Sequence, residues 1–333
     1  MPADLTIFDS WHDRAGVRKD ARLVVGDEDL ATKKFFPDHV VPHLRHPLVV
    51  AREDTARRYL AAQHLYQWLR FTERFEVEVV LRTVQRIADG ASGVDLSKKM
   101  RRYAMKINVD EQFHALYSID VADQIEEASG IRALPFDFAP YLRHLDGIGS
   151  ENPSYAKLVQ LLQVIVFETL ITSLLQDVPR DDDLITVVRE TVRDHAADEV
   201  YHHAYFAQVF KELWTQLDPA DRRAVAHFLP AVIVRSLQPA TRSARLALAG
   251  VGFSPADVDT IVAESYDQDS VMSGIRFAAR RTVGLFRKCG VFDVPGAREA
   301  FVSAGFADPG EGGTAALDGI DDIRAAIGGL DVP

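Results

Sequence analysis

No stretch of the chain alternates apolar and polar residues with the period of two that a sheet requires, and no unit repeats at a fixed period. Residues 1–50 carry Pro37, Pro42 and Pro47, which predict an irregular N-terminal segment without a long helix. The pattern changes from Arg52 onward, where four long stretches run without proline or glycine. The first can be capped by Asp54 or Thr55 and reaches Asp89, where Gly90 can end it. The second runs from Asp95 to Ser129 and stops at Gly130. The third opens near Ser154 and continues to Val178, ahead of Pro179; the fourth runs from Asp183 to Leu217, ahead of Pro219. Stretches of roughly 25–35 residues far exceed the usual three-turn helix. Four of similar length, each presenting one apolar stripe, predict an all-α four-helix bundle.

Beyond Pro219 the expected helices are shorter, broken by Pro230, Pro239, Gly250, Pro255 and Gly290. Residues 309–313 (Pro-Gly-Glu-Gly-Gly) read as a flexible joint, and Leu317 to Ile327 as a last short helix. The expected organisation is therefore an irregular segment over 1–50, the bundle over 51–218, and additional C-terminal helices with a tail over 219–333.

Bulk properties narrow the function classes. With 38 basic and 49 acidic residues the net charge is −11, which argues against nucleic acid or an anionic membrane as partner. The single cysteine, Cys289, rules out an intrachain disulfide framework and a Cys-rich metal site, and reads as a small buried hydrophobe. The N-terminus lacks a basic-then-apolar signal pattern, and no apolar run is expected to reach the ~20 residues that span a bilayer. A cytoplasmic protein is the expectation.

The chemistry lies in the second and fourth helices. Asp110-Glu111-Gln112-Phe113-His114 and Asp198-Glu199-Val200-Tyr201-His202 are both Asp-Glu-x-x-His. A spacing of three sets Glu and His one turn apart on the same face, so both can reach one metal. The first and third helices each add an acid in an apolar setting. Glu168 sits within Val164-Ile165-Val166-Phe167-Glu168-Thr169-Leu170-Ile171, and Glu76 within Phe75-Glu76-Val77-Glu78-Val79-Val80. A buried, unpaired carboxylate costs roughly several kcal/mol, so these groups should be paired, protonated or bound to a cation. One Glu from each of two helices plus Glu-x-x-His from each of the other two is the general ligand set of the ferritin-like di-iron and di-manganese carboxylate proteins, so the expected fold is a ferritin-like four-helix bundle. Carboxylates are hard and can bridge two divalent cations, while each imidazole adds a neutral donor. Asp110 and Asp198 can accept the free ring N–H of a ligating histidine and fix its orientation. His195, four residues before Glu199 and seven before His202, shares their face and supplies a seventh candidate.

Blander readings apply elsewhere. Glu73 and Glu78 are expected to be solvated or to lie behind the ligands. His203 is read as a neighbour on another face, and His64 and His227 as ordinary. The run Asp181 to Asp183 is read as helix-start chemistry.

The set Glu76, Glu111-x-x-His114, Glu168 and His195-x-x-x-Glu199-x-x-His202 resembles the non-haem di-iron N-oxygenases typified by p-aminobenzoate N-oxygenase, a family that includes the arylamine oxygenase of chloramphenicol biosynthesis. The intervals of 35, 3, 54, 27, 4 and 3 residues fit that layout. His46-Pro47-Leu48 also looks familial and favours Glu76 over its acidic neighbours. The resemblance extends from about His46 to Phe210, and more weakly to Asp293. It implies two iron ions as cofactor, O2 as co-substrate and an external electron donor such as a reductase, a ferredoxin or a small reductant. The implied reaction takes a small-molecule amine to the hydroxylamine and on to nitroso or nitro, in a biosynthetic setting. A homodimer is implied as well. A late arginine is expected to hold a substrate carboxylate, and Arg276 and Arg280 are the candidates; Trp68 is a candidate pocket wall. A C–H hydroxylase or desaturase is the alternative within di-iron chemistry, and a ferroxidase or iron-handling protein the alternative outside it.

Overall fold

The computed structural model describes residues 6–308. The expected joint at 309–313 and the short helix at 317–327 lie outside the described residues. Among the described residues the chain is all-α, and its sole β-type pairing is a parallel bridge between Lys34 and Leu184.

Helices are numbered here from Asp54. The first long stretch becomes α1 (Asp54–Phe75), a π-helical turn (Glu76–Val80) and α2 (Leu81–Ala88). The second is α3 (Lys98–Ser129), whose start is capped by the Ser97 side chain accepting from Met100 N–H. Its end is set by Gly130, which holds φ at +69°, a conformation that favours glycine. The third and fourth are α5 (Ala156–Leu174) and α6 (Thr186–Gln216). The start at Asp54 and the end at Ser129 coincide with the sequence expectation, and the other boundaries fall inside it by a few residues. The first turn of α6 is not capped by the acids just before it. Asp29 Oδ2, from the N-terminal segment, accepts the Thr186 N–H at 2.8 Å, while Asp182 pairs with Arg189.

Two elements depart from the sequence pattern. Residues 139–151 form a further helix, α4 (Ala139–Glu151), packed on α5. Helix α7 (Pro219–Leu237) runs straight through Pro230, which was expected to break it. An internal proline costs roughly 3 kcal/mol or more in a helix. Burial of Val225, Ala226, Leu229, Val232 and Ile233 on both sides of Pro230 offsets that loss. Then follow α8 (Arg242–Gly250), α9 (Pro255–Ser265), α10 (Gln268–Lys288) and α11 (Ala297–Ser303).

In the bundle α3 packs on α1 and α2, α5 packs on α6, and α3 meets α6 across the centre. Helix α5 is apolar almost all round, and all thirteen residues from Leu161 to Ser173 but the last are buried. The segment Pro153–Arg180 is in fact long and apolar enough to cross a membrane, contrary to the sequence expectation; 78% of its most apolar window is buried inside the protein. Its composition is that of a central core helix. The N-terminal segment is a series of short helical turns that insert Phe8, Trp11, Phe35 and Phe36 into the core.

Candidate metal centre

Four helices deliver seven side chains to one buried point. The π turn supplies Glu76; α3 supplies Glu111 and His114; α5 supplies Glu168; α6 supplies His195, Glu199 and His202. None exceeds 3% exposure, so solvent cannot satisfy their charges. The acidic neighbours differ: Glu73 is half-buried beside Arg70, and Glu78 pairs with Arg74.

The ligand-type atoms fall into two groups, Glu111, His114, Glu199 and His202, and Glu76, Glu111 and Glu168, each with its atoms within 4.8 Å of one another. Glu111 belongs to both. Its Oε2 lies 2.9 Å from His114 Nδ1 and its Oε1 2.9 Å from His202 Nδ1. Glu199 Oε1 is 3.1 Å from His195 Nε2, 3.3 Å from His202 Nδ1 and 3.5 Å from His114 Nδ1. His195 Nε2 also lies 4.0 Å from Glu76 Oε1. Several of these atoms have no hydrogen-bond partner: Glu76 Oε2, Glu168 Oε2 and Glu199 Oε2, and also Glu111 Oε1 and His202 Nδ1, which are 2.9 Å apart but not aligned for a hydrogen bond. Buried polar atoms are normally paired. Orphaned carboxylate oxygens and a ring nitrogen that converge on one point form a donor set that fits hard or borderline divalent cations.

Protons compensate for charge where no cation does. Burial, then repulsion from Glu111 and other carboxylates, pushes the Glu76 carboxyl well above its ordinary range. Burial and the charges of Glu199 and Glu111 do the same to Glu168. Burial also works against the charge on Glu111 and Glu199, yet His202 overrides it, holding Glu111 low and Glu199 well below the usual carboxylate range. Burial opposes charge on His114 too, but Asp198 and Glu111 raise its pKa to about 10. Against the same burial, Glu199 and Glu111 raise His202 well above the usual imidazole value. Burial and the neighbouring His114 lower His195.

The two aspartates brace the opposite helix. Asp110 Oδ2 is 3.3 Å from His202 Nε2, and Asp198 Oδ2 is 3.5 Å from His114 Nε2. His202 is thereby held with Nδ1 toward the carboxylates, and His114 turns Nδ1 the same way although its Nε2, near Asp198, makes no hydrogen bond. The N-terminal segment holds the aspartates in turn. The Trp11 indole N–H donates to both Asp110 oxygens at 2.8 Å, Gly16 N–H donates to Asp198 Oδ2 at 3.3 Å, and Arg14 Nη1 lies 3.4 Å from Asp198 Oδ1. Trp11, Arg14 and Gly16 were not singled out by sequence. The helical spacing of Phe8, Trp11 and Ala15, all buried, was the available signal.

A cavity of about 940 Å³ opens onto this point. Glu76 joins its wall to the cluster, and Thr72, Phe75, Phe167, Trp68, Phe36, Phe71 and Tyr141 line it as well. Trp68 is among the lining residues, and Arg276 and Arg280 are not. Both arginines are exposed on α10, and Arg280 lies over the Phe277 ring, because that face of the helix turns away from the bundle. His64, read as ordinary, lines the cavity as well, and burial lowers its pKa to about 3. His203 is buried beside the cluster with Nδ1 unpartnered, His227 is exposed, and Cys289 is half-buried against the core.

The comparisons with known proteins agree with this geometry. A family model described as "P-aminobenzoate N-oxygenase AurF" matches residues 7–290. The 4-aminobenzoate N-oxygenase of Streptomyces thioluteus is 26% identical over 236 residues, covering 66% of this chain and 67% of that protein.

Proposed function

Because the chain belongs to the P-aminobenzoate N-oxygenase AurF family, we propose that it is an arylamine N-oxygenase working through two iron ions held by Glu76, Glu111, His114, Glu168, His195, Glu199 and His202. The protein is an oxygenase. The observation that carries the finer reading is the buried convergence of four glutamates and two histidines in two donor groups that share Glu111, with His195 Nε2 3.1 Å from Glu199 and carboxylate oxygens left without partners. When bound, the iron pair supplies the oxidising chemistry, using O2 and electrons from an external donor.

The chain's own residues do the rest. Glu111, common to both donor groups, is positioned to span two cations. Asp110 and Asp198 orient His202 and His114, which favours one ring nitrogen of each as the donor. Glu76 belongs to both the cluster and the cavity wall, so an amine in the cavity approaches the centre on that side. The aromatic lining excludes water and presents flat surfaces to a ring. We read residues 51–218 as the catalytic bundle and the helices after 219 as its cover, since α7, α9 and α10 all contribute to the cavity wall. A cavity of this size is of no use to an iron-storage protein, which weighs against that alternative.

The test is to load the protein with iron, reduce it, and admit O2 in the presence of a panel of aryl and alkyl amines. Mass spectrometry should find a hydroxylamine, nitroso or nitro product from at least one arylamine. Hydroxylation at carbon, with nitrogen untouched across the panel, would favour the hydroxylase alternative.

A further inference from the structure

We infer that the cavity receives an extended arylamine whose end remote from the reacting nitrogen is neutral or cationic, and not a small free aminobenzoate. The inference rests on the N-oxygenase reading and specifies its substrate class.

Size is the first argument. Ligand pockets span about 300–1,000 Å³, and the upper end suits ligands of drug size. At about 940 Å³ this cavity would leave most of its space to water around a single-ring acid.

Charge is the second. The charged groups lining the cavity away from the cluster are Arg45 and Arg242 against Asp137, Asp177, Glu264 and Asp267. Arg242 is already engaged, with Nη1 3.2 Å from Asp137 Oδ2. That leaves Arg45 against Asp177, Glu264 and Asp267; Arg45 and Glu264 are exposed to solvent, and Asp177 and Asp267 are half-buried. The histidines of the wall do not reverse the balance: His46 Nε2 lies 3.0 Å from Glu264 Oε2, and burial keeps His64 neutral near pH 7. A free carboxylate would enter a cavity of its own sign. A neutral or cationic group would not.

The third argument is an unused hydrogen-bonding group. Ser236 is 4% exposed, lines the cavity, and its hydroxyl has no partner. Ser265 lines the same region, and its hydroxyl is likewise buried and unpartnered. Buried hydroxyls in native proteins are usually satisfied, and both belong to the wall of the cavity that also carries the acids. They suit an amide or similar neutral group in an elongated ligand.

Four arylamine probes separate length from charge. 4-Aminobenzoate is short and anionic, 4-aminobenzamide short and neutral, 4-aminohippurate long and anionic, and procainamide long and cationic. The last two share the 4-aminobenzamide core. Calorimetric titration of the intact chain under nitrogen should rank procainamide first and 4-aminobenzoate last. Procainamide should exceed 4-aminohippurate by about tenfold or more, the scale of one favourable charge contact exchanged for an unfavourable one. Asp177→Asn should cut that ratio about threefold or more while 4-aminobenzamide binding stays as it was. Equal affinities, no binding, or preference for either anionic probe overturns the inference. Product analysis with the iron-loaded protein is a separate readout. If 4-aminobenzoate is bound best and N-oxygenated, the inference fails and the N-oxygenase reading stands. If procainamide is bound best but no probe is oxidised at nitrogen, the binding order upholds the inference about the cavity and the reaction assignment is what falls.

Discussion

Helices α3 and α6 carry the same string in different surroundings. Asp110-Glu111-x-x-His114-x-x-Tyr117 and Asp198-Glu199-x-x-His202-x-x-Tyr205 match at all four positions. Asp110 is fully buried and gripped by an indole N–H at 2.8 Å, whereas Asp198 is held by longer contacts from Gly16 and Arg14. One turn before the glutamate, α6 has His195 and α3 has the buried Ile107. One turn beyond the histidine, Tyr205 donates to Met100 O at 3.0 Å, while the Tyr117 hydroxyl is buried without a partner. Burial and nearby carboxylates push the Tyr117 phenol well above its ordinary value. The lesson is that the repeated string provides the donors, and the residues around it make the two halves unequal.

The largest expected effect comes from the residue shared by both donor groups. Glu111→Ala should abolish binding of both metals, whereas Glu168→Ala should release one. Metal analysis of iron-loaded variants reads this directly. Two irons retained in Glu168→Ala would remove α5 from the ligand set.

Acidity comes next. Metal ligands must shed their protons, so loading this centre should release protons at pH 7 from Glu76, Glu168, His114 and His202. Apparent affinity should therefore climb with pH from neutral toward about 10, where His114 titrates. The sign for stability is the opposite in the metal-free protein. Groups whose folded pKa is raised stabilise the fold only below it, and that contribution fades as pH rises. Metal-free protein should lose thermal stability as pH rises from about 6.5 toward about 10, the span over which His114 titrates, and the iron-loaded form should not. Calorimetry in buffers of different ionisation enthalpy counts the protons, and a count of zero would contradict the proton-filled cluster.

Unequal braces should give unequal losses. Asp110→Asn is expected to weaken metal binding by about 10–100-fold, the usual scale for a group that orients a ligating histidine. Asp198→Asn should cost less because its contacts are longer. Equal losses would mean that the indole grip adds nothing. The smallest effect separates the tyrosines. Tyr205→Phe removes a buried hydrogen bond worth roughly 1 kcal/mol, while Tyr117→Phe removes an unsatisfied hydroxyl and should be neutral or slightly stabilising. Chemical denaturation of the metal-free variants tells them apart.

Much of this was readable in advance because long helices advertise themselves. Nothing interrupts α3 between Ser97 and Gly130, and the Asp-Glu-x-x-His strings place their side chains by spacing alone. Glu76 needed the family layout, since Glu73 and Glu78 have the same chemistry, and their partial exposure and the arginines beside them appear only in the fold. What stayed hidden depended on contacts distant in the chain. Trp11 reaches a residue 99 positions away, Asp29 caps a helix 157 positions on, and Pro230 stays helical because of what packs around it. The arginines of α10 looked suitable by type, but only the fold reveals which way that helix turns.

The π turn at Glu76–Val80 carries a consequence for how sequences of this kind can change. An extra residue in one turn offsets everything beyond it by about 100° around the helix axis. Deleting Val77 alone would restore a regular α-helix without removing a single acidic residue. It would also swing either the upstream aromatic wall or the downstream α2 face out of register with α3. An alignment that counted only matching letters would score such a chain as intact, although its carboxylate no longer met the other six donors. Insertions and deletions here therefore weigh more than substitutions when relatives are sorted into those with a complete centre and those without one.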